Sequence, residues 1–230
     1  MTTLNYQNYV KQNTEFCFKP KDPMSALTHL IGVFLSLIGM PILLICAAQH
    51  EHSVFELSSY AIYMFTMILL YSASTSYHSF HCDTKINRIL KTIDHISIFY
   101  LIAGSYTPIC INLLPKPTGI YLLIGIWAIA LIGTIFKLFF VYCPKWVSSI
   151  IYCLMGWVVL SVLPDLLAVI PFSGFLLLLL GGIFYTVGAI LYALKLSIFH
   201  NAYFGNHELF HCFVLLGSIC HYLFMFFYAI

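Results

Sequence analysis

The chain of 230 residues is 61% hydrophobic and only 8% charged, against about 25% charged residues in a soluble domain. With a mean hydropathy of +0.95, this composition excludes a water-soluble globule and points to a multi-pass protein of the cell membrane. A formal net charge of +2 excludes a nucleic-acid surface, and the eight cysteines show no CxxC pair or short secreted framework, so they read as small buried hydrophobes.

Residues 1–23 are polar and lack the apolar core of a signal peptide, so they are expected to form a cytoplasmic N-terminal segment. One membrane domain is expected over 24–230. Apolar runs occur at about 26–48, 57–77, 93–114, 119–138, 147–165, 172–194 and 208–230. Each approaches the roughly 17–25 residues that a helix needs to cross a hydrocarbon core of about 30 Å. The expected fold is therefore all-α, a seven-transmembrane helix bundle with short connections and no second domain. Pro41 and Pro108 fall inside spans and should bend the first and third helices locally. Gly181, Gly182, Gly188 and Ala189 give the sixth helix a small-residue face for close packing.

Charge sets the expected orientation. With a cytoplasmic N-terminus, Lys11, Lys19, Lys21, Lys85, Arg88, Lys91, Lys137, Lys145 and Lys195 fall on the cytoplasmic side and Lys116 alone on the other. That asymmetry follows the positive-inside rule, and it places the C-terminus outside.

This topology gathers polar residues that are far apart in sequence. Ser74 and His78 close the inward-running second helix, Asp94 opens the third, and His207 and His211 open the seventh. All lie at one depth on the cytoplasmic side. His207 and His211 are spaced i, i+4, which puts them about 40° apart on a helix and lets both imidazoles reach one ion. A carboxylate buried in a span needs a partner. Three neutral imidazoles near that carboxylate suit Zn²⁺, and three protein ligands leave a fourth position open, the pattern of a catalytic zinc. The plainer alternative is that these residues only hydrogen-bond the helices to one another.

At these residues the chain resembles the hemolysin III branch of the progestin and adipoQ receptor (PAQR) family, which includes the adiponectin receptors. The matching stretches are Ser74-x3-His78, Asp94 in DHISIFYLIAGSYTP (94–108), and His207-x3-His211 in HELFHCFVLLGS (207–218). THLIG (28–32) and GGIFYTVGAILY (181–192) agree as well, so the likeness covers roughly residues 20–230. The resemblance implies a seven-helix bundle with a cytoplasmic N-terminus, zinc on His78, His207 and His211, and Ser74 and Asp94 holding or activating a water at the metal. It further implies a hydrolase acting on a membrane lipid at an amide bond, with a lipid as substrate or ligand. The short N-terminal segment fits a microbial form better than ligand-receptor signalling.

Rival readings follow from the same residues. HELFH also satisfies the HExxH pattern of metalloproteases, with Glu208 as base. No downstream third ligand suits it, because His221 lies about 15 Å farther along the helix on another face. His29 is expected beside the site, His81 and His95 at the membrane interface, and His50 and His52 in an external loop. A cytolytic pore would need a continuous polar lining, whereas the outer halves of the helices are mostly Leu, Ile, Phe and Gly. A non-enzymatic sensor of membrane state with a structural zinc remains the other alternative.

Overall fold

The computed structural model describes residues 20–194 and 204–230. Seven helices are long and apolar enough to cross a membrane: α1 (Pro23–Gln49), α2 (Val54–Ser79), α3 (Thr84–Leu113), α4 (Lys116–Phe140), α5 (Lys145–Leu167), α6 (Phe172–Leu194) and α7 (Asn206–Ala229). Their outward faces carry large exposed apolar side chains, among them Phe34, Ile45, Ile132 and Phe139. Such faces are stable against lipid rather than water. Lys11, Lys19, Lys195 and Cys17 lie outside the described residues. The seven cysteines that are described are all unpaired.

The helices start and stop where local chemistry satisfies their ends. Pro23 occupies the first turn of α1, where its missing N–H costs nothing. Ser53 and Glu56 form a reciprocal capping box on α2. Asp83 accepts from the backbone N–H groups of Lys85 and Ile86 and so opens α3 at Thr84. That cap corrects one expectation. The stretch 79–92 is not a loop, because its second half is an amphipathic extension of α3 too polar for a hydropathy window, and only a short link separates α2 from α3. Asp94 therefore lies well inside α3 rather than at its start.

Both prolines also behave differently from one another. α1 stays α-helical on both sides of Pro41, giving up only the bond that its missing N–H would make. After Pro108 the backbone changes to a π-helical turn over Ile109–Leu113, where the missing N–H loosens the ladder. A second interruption occurs in α5, where Val158–Val162 is a 3₁₀ stretch. There the Tyr106 hydroxyl accepts from Val159 N–H at 2.8 Å and donates to the Gly156 carbonyl at 2.6 Å. One phenol from α3 thus satisfies backbone groups that the break in α5 releases within an apolar surround.

The core is aromatic and tightly closed at the end away from the lysines. Tyr60, Tyr63, Phe99 and Phe224 are fully buried, and the Tyr60 hydroxyl donates to the Ala229 carbonyl, tying α2 to the end of α7. In mid-bundle, Ser218 of α7 joins Tyr71 of α2 at 2.7 Å and Tyr185 of α6 at 2.8 Å. The glycines of α6 do not share one face. Gly181 and Gly188 leave room for His221 and Phe213 of α7, while Gly182 faces Trp157 of α5.

Lys137 lies near the end of α4, as its place in the 119–138 run implies, and is fully buried there. Its Nζ donates to Ser148 Oγ at 2.5 Å and Cys143 Sγ at 3.3 Å.

Candidate metal centre

Three imidazoles converge at the lysine-bearing end of the bundle. His78 ends α2, and His207 and His211 stand one turn apart at the start of α7. One ring nitrogen from each lies within 4.8 Å of the others. His78 Nε2 and His207 Nε2 are 3.1 Å apart, close to the roughly 3.3 Å between two imidazoles on one tetrahedral zinc at about 2.0–2.1 Å. His78 and His211 are each 2% exposed. Of the histidines expected to act together, all three meet.

The first turn of α1 fixes which nitrogen each ring presents. Asp22, immediately before α1, accepts from His78 Nδ1 at 2.9 Å through Oδ2, and its own backbone N–H donates to the His78 carbonyl at 3.0 Å. His211 Nδ1 faces the Ser25 carbonyl at 3.2 Å and Thr28 Oγ1 at 3.3 Å. With both Nδ1 atoms engaged as donors, Nε2 of each ring keeps its lone pair for the shared space. A carboxylate or carbonyl behind a histidine is how metal-binding imidazoles are held, so this donor set fits a zinc ion.

The two acids beside the histidines differ in how they are committed. Glu208 Oε1 accepts from Ser25 Oγ at 2.5 Å, and its Oε2 accepts from Gly205 N–H at 2.9 Å. Both oxygens are thus spent on closing the first turn of α7 and pinning it to α1. Asp94 is buried, with Ser74 nearby on α2. Among the described residues it has no ion-pair partner. Lys91, one turn earlier, instead lies over the Tyr142 ring at 4.5 Å.

Ser74, Asp94, His207 and His211 open onto one internal cavity of about 230 Å³. It runs between α3, α5, α6 and α7 to His221, and its farther walls are mostly Leu, Ile, Phe and Trp side chains, with Tyr106, Tyr185 and Thr186 among them. His95, expected at the interface, lines this cavity instead, because the extended start of α3 carries it inward. His81 is exposed, and His52 lies 3.9 Å from Glu56 at the opposite end. Asp22 and Ser25 were not apparent as site residues in the sequence. The one available signal was an acid followed by proline and then the THLIG stretch, which reads equally well as a helix start.

Loss of the Asp22 carboxylate is a specific test of this arrangement. Asp22→Asn should weaken zinc binding by about 10- to 100-fold while the bundle still folds. Competition against a zinc chelator of known affinity measures it.

Comparison with known proteins gives a consistent assignment. The family model described as "Haemolysin-III related" matches residues 18–222. A protein of Bacillus subtilis (strain 168) named "Hemolysin-3 homolog" is 41% identical over 207 residues, which is 90% of this chain and 93% of that protein. The "Hemolysin-3" of Bacillus cereus is 37% identical over 213 residues, 93% of this chain and 94% of that protein. The match runs through all seven helices and contains Ser74, His78, Asp94, His207 and His211: the chain is a member of the haemolysin-III related family of multi-pass membrane proteins.

Proposed function

We propose that this protein is a zinc-dependent hydrolase that cleaves an amide bond of a membrane lipid. The observation that carries this reading is that three imidazoles meet beside a cavity that the buried Asp94 carboxylate also lines and whose remaining walls are mostly apolar. Such a cavity accepts a hydrocarbon chain and brings its polar head to the histidines.

When bound to His78, His207 and His211, zinc supplies Lewis-acid polarisation of a carbonyl and eases deprotonation of water. Everything else falls to the protein's own groups. The apolar walls align the acyl chain and exclude bulk water. The Asp94 carboxylate accepts the proton of the attacking water, and the hydroxyl of Ser74 holds that carboxylate in place. As the C–N bond breaks, Asp94 returns the proton to the departing amine, so that amide and water become acid and amine. Glu208 is unsuited to this exchange, since both of its oxygens already have donors. Asp22, Ser25 and Thr28 keep the imidazoles oriented.

The apolar lining argues against a wide aqueous pore, which needs polar walls throughout. A sensor that only binds lipid is distinguished by its products. Purified protein given an N-acylsphingosine should release fatty acid and the free amine in equal amounts. Binding without either product would favour the sensor.

A further inference from the structure

His29 is not one of the three converging imidazoles, although its ring packs against one of them, and its polar atoms call for a ligand. It lies one turn beyond Ser25 on α1 and is 3% exposed. Its ring stacks on that of His211, with centroids 3.6 Å apart and planes 11° from parallel. The ring of Tyr71 meets it edge-on at 5.1 Å. These two contacts hold the imidazole in one orientation, and it forms part of the cavity wall. Yet neither Nδ1 nor Nε2 has a hydrogen-bond partner among the described residues. Buried polar atoms are nearly always paired, and a helix position that needed only bulk would be better filled by leucine or phenylalanine. Two unmet polar atoms on one rigid, buried ring at the polar end of an apolar cavity are suited to a polar group that arrives with the ligand.

We propose that His29 is the subsite for the polar head of the lipid, hydrogen-bonding its amide. A neutral imidazole offers one donor and one acceptor, and an amide offers a carbonyl acceptor and an N–H donor. The two ring nitrogens point away from each other, so one of them serves a given amide. Either the N–H donates to its carbonyl or the bare nitrogen accepts from its N–H, without any change of charge. His29 would then select lipids with an amide head over plain hydrocarbon and turn the carbonyl toward the histidine cluster. This inference rests on the lipid-amide reading of the site. His95 Nδ1 is also unpartnered among the described residues, but its ring is only half-buried, and His207 Nδ1 belongs to a ring already engaged in the cluster.

The test is displacement of a fluorescent hydrocarbon from the purified, zinc-loaded protein by hexadecanamide and, separately, by hexadecane. The wild type should bind the amide at least tenfold more tightly than the hydrocarbon. His29→Phe keeps the stacking but has no ring nitrogen. It should lose about tenfold of that preference, the effect of about one buried hydrogen bond left unmade, with its zinc content unchanged. His29→Gln, which retains a donor and an acceptor, should keep most of the preference. A wild type that shows no preference overturns the proposal without any variant. So does a His29→Phe protein that keeps the preference, or one that loses its zinc. A wild type that prefers the amide but releases no fatty acid from N-acylsphingosine leaves the subsite standing and rejects the hydrolase. Fatty-acid release that His29→Phe leaves unchanged rejects the subsite alone.

Discussion

Single replacement of His78, His207 or His211 by alanine is expected to reduce bound zinc from about one ion per chain to less than a tenth of that. Among the described residues, three nitrogens from two helices could hold the ion, and two ligands do not hold zinc as three do. The stability cost should differ among the variants. His78 would join α2 to α7 through the ion and is tied to the start of α1 through Asp22, so its removal frees the most. His211 is buried against Ser25, Thr28 and His29, and its loss also opens a cavity. His207 is half-buried and lacks a partner at Nδ1 among the described residues, so its removal should destabilise least. Because the folded protein binds the metal and the unfolded chain lacks the preformed site, losing zinc lowers the unfolding temperature as well. Metal analysis together with thermal unfolding in detergent, with and without a chelator, measures both effects. In each variant the chelator should no longer shift the melting temperature. Full zinc occupancy in all three variants would remove the centre from the account.

The second large effect separates the two acids. Asp94→Asn should retain zinc and reduce hydrolysis at least a thousandfold, while Glu208→Gln should keep at least a tenth of it. The difference follows from what each carboxylate already does. Glu208 accepts from Ser25 and from the Gly205 backbone, and a glutamine can still accept at one position, so the start of α7 is held. Its loss is one of fit. Asp94 has no ion-pair partner among the described residues and lines the cavity, and asparagine cannot take a proton from water. General-base loss alone accounts for a factor of about 10²–10⁴. Turnover by the two variants at equal zinc content is the measurement. An inactive Glu208→Gln beside an active Asp94→Asn would assign the roles as in a metalloprotease.

How much of this was legible beforehand varies with the kind of signal. Seven spans could be read because each must present some 20 apolar residues, and the limits of α6 agree to the residue. The start of α3 could not, since the turn from Thr84 onward is amphipathic and its boundary is set by one aspartate cap. The 3₁₀ stretch in α5 was likewise hidden. Gly156 and Pro164 flank Val158–Val162, but neither says that the chain tightens to a 3₁₀ turn there, and the support comes from Tyr106 on another helix. The three histidines were legible because the positive-inside argument put them at one depth and the i, i+4 spacing put two on one face. Asp22 was not, because an acid before a proline at a helix start has an ordinary reason to be there. Only the return of the chain to His78 shows that its carboxylate serves a ring 56 residues away. His29 stood out as a nearby histidine, but its two unpaired nitrogens appear only once its neighbours are in place.

Metal-dependent turnover tests the zinc hydrolase most directly. Purified protein in lipid bilayers should release fatty acid from an N-acylsphingosine. Release should cease when zinc is removed by chelation and return on adding back one equivalent of zinc per chain. Release that persists unchanged in the zinc-free protein, or none from protein carrying a full equivalent of zinc, would contradict it.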